Sequence, residues 1–188
     1  MTEISEAEWK QRQLGRTDEA KFSGRADRAA RTRIHGIIPQ HFFSGASSEC
    51  RDLFIDGHFY GCISLAQAVA EGLTRYLGDF HKIGARKDPP VRARRLFKVN
   101  VISRDSLEAL TTIWGNDRNT FHHLNENIPT DYLTLERRAE QCVTALYTIE
   151  SELFAYETHD GGLRPKNPQY WSFPDSQHVM TNLRLSGY

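Results

Sequence analysis

The densest cluster of groups able to act on a phosphoester lies in residues 117–125. Within it, Arg118, Asn119, His122 and His123 bring together a guanidinium, an amide and two imidazoles. A guanidinium presents a rigid, permanently charged fork that matches a phosphate. An imidazole titrates near neutrality and can move a proton there. Asn116 or Asp117 can cap a short helix at this point, and a helix N-terminus adds N–H donors and partial positive charge for an anion. Phosphodiester cleavage needs these parts: charge stabilisation on the phosphoryl oxygens and an acid or base beside the attacking and leaving oxygens. In a continuous helix Asn119 and His123 share a face, as do Arg118 and His122. Arg118 and His123 stand about 140° apart and converge only when Arg118 occupies the helix start. The competing reading is a capped helix in which Arg118 pairs with Asp117 or Glu126 and the imidazoles fill polar gaps.

Other chemistries find little support. The sequence contains no phosphate-binding GxxxxGK[ST] loop, GxGxxG, HExxH or GxSxG, and no ExxH pair of the di-iron bundles. The eight histidines are dispersed, and the adjacent His122 and His123 point about 100° apart on a helix, which suits one metal ion poorly. No metal and no cofactor is therefore expected. Cys50, Cys62 and Cys142 are too few and too scattered for a disulfide framework or a zinc site, and Cys62 and Cys142 fall on apolar stripes.

The elements that must position the cluster are helical. The spacing of Ile55, Phe59, Cys62, Ala66, Val69, Leu73, Tyr76 and Phe80 is that of an amphipathic helix over 48–80, with Ser48 as N-cap and a break at Gly57. Leu135, Ala139, Cys142, Leu146, Ile149, Leu153 and Tyr156 predict a second over 131–156, capped by Thr130 or Asp131. A shorter helix is expected over 105–114 and stops at Gly115. Before these, polar helices are expected over 3–13 and 18–33. After them, residues 159–188 are rich in Gly, Pro and Asn and read as loop. A convincing alternating strand is absent. The fold expected is all-α, a bundle of two long amphipathic helices with shorter connecting helices. It divides into an N-terminal extension (1–45), a helical domain (46–158) and a loop-rich tail (159–188).

With 188 residues, the chain is long enough for a core without staples. Its formal net charge is zero, which removes any bulk pull toward nucleic acid or membrane, but the charge is segregated. Residues 82–98 carry seven bases (Lys82, Arg86, Lys87, Arg92, Arg94, Arg95 and Lys98) against Asp88. Residues 126–160 carry eight acids and two bases. The basic run is either a solvated surface or a guide for an RNA backbone, with Phe97 available to a base. Likewise, residues 167–174 could stack bases with Tyr170, Trp171 and Phe173, or pack the tail onto its own bundle.

The spacing from Arg118 and Asn119 to His123 resembles the Rx4–6H motif of the HEPN superfamily, a group of all-α proteins common in prokaryotic defence and toxin systems. The preceding helix is similar too: residues 60–73 are small and aliphatic, with the acidic Glu71 near the middle. The likeness covers about 48–157. It implies a metal-independent ribonuclease whose products carry a 2′,3′-cyclic phosphate. Arg118 would bind the scissile phosphate, His123 would act as general base or acid, and Asn119 would orient either group. Glu71 would approach the motif, where a buried carboxylate fits a pairing with Arg118; the competing reading is an exposed helix residue. The resemblance also implies a homodimer in which two motifs line one cleft. Two departures stand out: His122 permits an Rx3H spacing, and Asn125 occupies the place of a tyrosine found in one toxin branch.

Two functions follow as expectations. One is an endoribonuclease of HEPN type in prokaryotic defence or stress response. The other is a catalytically silent HEPN-like module that binds RNA, a nucleotide or a partner protein. The expected partners are RNA, a second copy of the chain, and an antitoxin or regulatory protein. The absence of an apolar leader at the N-terminus and of membrane-length apolar runs predicts a cytoplasmic protein without membrane contact.

Overall fold

A computed structural model describes residues 5–83, 88–115, 120–121, 126, 128–159, 162–171 and 181–183. The fold is all-α in class. Its helices are α1 (Glu6–Arg31), α2 (Ser44–Asp56), α3 (Phe59–Phe80), α4 (Pro89–Lys98), α5 (Arg104–Trp114) and α6 (Tyr132–Leu153). α3 packs against α2 and α6, α5 lies along α6, and α4 bridges α3 and α5.

The apolar stripes explain this packing. Cys62, Ala66, Val69 and Leu73 on α3 and Ala139, Cys142, Leu146 and Ile149 on α6 are all buried. Fully burying an aliphatic side chain contributes ~1.5–3 kcal/mol, so these two stripes drive the collapse. Gly57 adopts φ +82° and ends α2, and α3 starts two residues later. A left-handed residue closes a helix cheaply only when it is glycine. Asp131 caps α6 by accepting from the Thr134 N–H at 2.8 Å, a bond that also holds its carboxyl below the usual range.

Several boundaries differ from the expected ones. Ser48 is not an N-cap: α2 begins at Ser44, and the Ser48 hydroxyl donates back to the Ser44 carbonyl at 3.1 Å. α5 begins at Arg104, one residue before the expected start, and is capped by Ser103. The two polar helices expected near the N-terminus are one continuous α1, started by a capping box between Ser5 and Glu8. Its first part is exposed, with Phe22 70% accessible. Only its C-terminal end docks: Arg28 is buried and donates to the Ile55 carbonyl at 2.8 Å, and Arg31 bonds Glu136 and Glu140 on α6.

Short strands are present where none was expected. β1 (Ile37–Pro39) pairs antiparallel with β4 (Thr181–Leu183), and β2 (Tyr156–His159) with β3 (Gly162–Pro165). Ile38 and Phe43 from the extension and Tyr170 and Trp171 from the tail lie in the same core as α3. The aromatic tail therefore packs on its own bundle at these two rings.

Candidate functional site

Arg118, Asn119, His122 and His123 fall outside the described residues, but the frame around them is defined on both sides. At the entry, Gly115 caps α5 and its N–H donates to the Thr111 carbonyl at 2.8 Å. Arg138 of α6 reaches across to the same helix end. Its Nη1 donates to the Thr112 carbonyl at 2.7 Å and its Nη2 to the Ile113 carbonyl at 3.2 Å. A cation on terminal carbonyls satisfies acceptors that the helix leaves open and opposes the negative end of its dipole. Between the two halves of the motif, Thr120 and Phe121 are helical, and Phe121 is 2% exposed. Its ring centroid lies 6.3 Å from that of Tyr60 on the first turn of α3. At the exit, the Tyr60 hydroxyl donates to the Pro129 carbonyl at 2.8 Å.

Glu71 lies on α3, one turn beyond Gln67 on the same face. The Gln67 amide donates to the Ile113 carbonyl at 3.5 Å, which fixes that face against the end of α5. The Glu71 carboxylate is a quarter exposed and accepts from Arg75 Nη2 at 3.3 Å. It is a half-buried acid on the side of α3 that meets α5.

The basic run divides on inspection. Arg86 and Lys87 lie outside the described residues. Lys82 is exposed and has φ +54° just after α3. Arg94 and Lys98 are exposed on α4 and Arg95 is half-buried. Arg92 is buried, its stem packed over Gly78 on α3, so it stabilises the α3–α4 contact and is not part of a surface open to an RNA backbone. Pattern could have flagged this: Arg92 shares its helix face with the buried Pro89 and Leu96.

Arg94 and Gly115 line one cleft between α4 and α5. Gly115 immediately precedes the segment that carries Arg118. The basic helix and the entry to the motif therefore meet at one place, a relation that no local sequence pattern reveals.

Among the described residues no cluster of His, Cys, Asp and Glu can hold a metal ion. The three cysteines are free and buried. Burial pushes the Cys62 thiol up and the Cys142 thiol up to about 11, so neither is a ready nucleophile. No helix among the described residues is long and apolar enough to cross a membrane. No family model, curated protein or solved structure matches the chain.

Proposed function

We propose that the chain is a metal-independent endoribonuclease of HEPN type acting in prokaryotic defence or stress response, in the cytoplasm and as a homodimer. The observation that carries this reading is the meeting of the basic helix with the entry to the motif, where Arg94 and Gly115 share a cleft. An RNA backbone guided along Arg94 and Lys98 would reach Gly115, three residues before Arg118. Arg118 would take the non-bridging oxygens. His123 or His122 would accept the 2′-hydroxyl proton as that oxygen attacks phosphorus, and a second imidazole would return a proton to the departing 5′-oxygen. The P–O5′ bond breaks as the P–O2′ bond forms, leaving a 2′,3′-cyclic phosphate. Asn119 would orient the phosphate, and an antitoxin or regulatory protein would hold the activity in check.

The test is RNA cleavage in EDTA by the full chain beside Arg118→Ala, His122→Ala and His123→Ala. The expected result is cyclic phosphate ends from the wild type and a loss of at least about a hundredfold in Arg118→Ala and in one histidine variant. Undiminished cleavage by all three variants would exclude the mechanism. RNA binding without turnover would assign the chain to the silent, RNA-binding class instead.

A further inference from the structure

α5 separates two surfaces of opposite character. Toward α6 it forms an open groove lined by Asp105, Glu108 and Glu140 with Arg137 the one cation among its lining residues. Toward α4 it frames a cleft of about 330 Å³, walled by Pro90, Ala93, Leu107 and Trp114 and carrying Arg94 and Thr111. That volume is at the small end of ligand pockets, and the combination of apolar walls with a few polar groups is what such pockets have.

The walls are regular stripes. Pro90, Ala93 and Arg94 fall at i, i+3 and i+4 on α4, and the exposed Phe97 continues the stripe at i+7. Leu107, Thr111 and Trp114 fall at i, i+4 and i+7 on α5. Two features ask for a particular occupant. Trp114 is 2% exposed, yet its Nε1–H has no acceptor among the described residues. That nitrogen is itself covered, so the indole offers the cleft an apolar surface. Arg94 lines the cleft and donates from Nε to the Pro90 carbonyl at 3.3 Å. Its terminal nitrogens make no hydrogen bond among the described residues. The occupant therefore has a flat apolar body with a negative charge beside it.

We infer that the α4–α5 cleft is a nucleobase subsite for single-stranded RNA, with the base between the two helices and an adjacent phosphate on Arg94. The inference rests on the RNA reading above and adds to it where a base outside the reacting phosphate is held. The exposed Lys98, one turn beyond Arg94 on the same face of α4, extends the positive surface. The acidic groove on the far side of α5 repels the same backbone and so directs it to this side.

The experiment follows the indole N–H signals of Trp9, Trp114 and Trp171 in the ¹⁵N-labelled full chain during titration. The probes are adenosine and a 2′-fluoro pentanucleotide, which cannot be cleaved by attack of a 2′-hydroxyl. The expected result is a shift of the Trp114 signal with both probes. Thr111→Phe, a substitution at an exposed position that fills the cleft, weakens both by at least about tenfold. Arg94→Gln weakens the pentanucleotide and leaves adenosine unchanged. A Trp114 signal that moves with neither probe would overturn the inference, as would equal binding by Thr111→Phe. Because the pentanucleotide is inert, the two readings fail separately: an inactive chain whose Trp114 responds keeps the subsite and loses the nuclease. A chain that cleaves while Trp114 stays silent does the reverse.

Discussion

The Nε2 of His41 lies 3.0 Å from the Tyr170 carbonyl oxygen, joining the start of the bundle to its C-terminal tail. The ring packs among Phe43, Tyr76 and Phe154. A second imidazole, His81, meets the Tyr170 hydroxyl at 2.9 Å, so one tail residue is held from the connection before α2 and from the end of α3.

Burial holds His41 below its ordinary pKa, and the bond to the Tyr170 carbonyl only partly offsets this. Burial also pushes the Tyr76 phenol up to about 12 and the Tyr170 phenol up, so neither ring supplies an anion near neutrality. The unfolded chain therefore binds a proton at His41 before the folded chain does. The stability from the neutral ring is complete above about pH 6.5 and is lost as pH falls from there through the depressed folded value. Thermal melts from pH 8 to pH 4 are expected to show a smaller acid decline in His41→Gln than in the wild type. An identical pH profile for the two proteins would remove His41 from the account.

Inside the bundle, the Ser47 hydroxyl donates to the Glu150 carboxylate at 2.5 Å, with both side chains buried. Ser47→Ala removes a donor from an acid that cannot turn to water. The expected loss is about 1–3 kcal/mol, seen as a lower urea midpoint with an unchanged slope. Changing Glu150 to Gln in the Ser47→Ala background restores part of it, because a neutral amide tolerates the missing donor better than a carboxylate does.

What the sequence discloses here tracks how local the physics is. α3 and α6 are legible because each buries a stripe repeating every three to four residues, and Gly57 and Asp131 mark their ends with residue types suited to the task. The helical class follows directly. Pairing of Ile37–Pro39 with Thr181–Leu183 is not legible, since three residues carry no periodicity and the partner lies at the other end of the chain. The hairpin at Tyr156–His159 is equally short and alternates no clear apolar face. α1 reads as two polar helices because its apolar contacts are thin and form no continuous stripe. Open space around Gly15 and the exposure of both flanks allow the helix to pass through. Of the site, the residue types of 118–123 were visible in sequence, whereas the cleft that brings Arg94 to Gly115 depends on the crossing of α4 and α5.

Gly115 has φ +50° and ψ −158°, a conformation that nearly only glycine adopts. A Cβ there would also lie 2.7 Å from Arg138 Nη2, displacing the guanidinium from the Thr112 and Ile113 carbonyls. Gly115→Ala is expected to cost about 1–3 kcal/mol in chemical denaturation. Arg138→Ala removes the same cap without the backbone strain and should cost less. If Gly115→Ala proved no worse than Arg138→Ala, the strain at this entry to the motif would be absent.

Ile38 and Phe43 precede the expected boundary at residue 45 and are buried in the core, and truncation reads what each part of the extension contributes. Trp9 and Leu14 are 56% and 66% exposed, and Lys10 pairs only with Glu6 of its own helix at 2.7 Å among the described residues. Exposed pairs of that kind contribute ~0.3–0.5 kcal/mol. Deleting residues 1–20 is therefore expected to move the melting temperature by no more than about 2–4 °C, the shift that about 1 kcal/mol produces in a chain of this size. Deleting residues 1–45 removes Arg28, Ile38, His41 and Phe43 from the buried set. It strips the Ile55 carbonyl of its donor and opens the aromatic cluster around Tyr76 to water. That truncation should abolish cooperative melting, which circular dichroism and calorimetry on the two deletions would read directly. Cooperative folding of 46–188 alone would show that the helical domain stands without the docked half of α1.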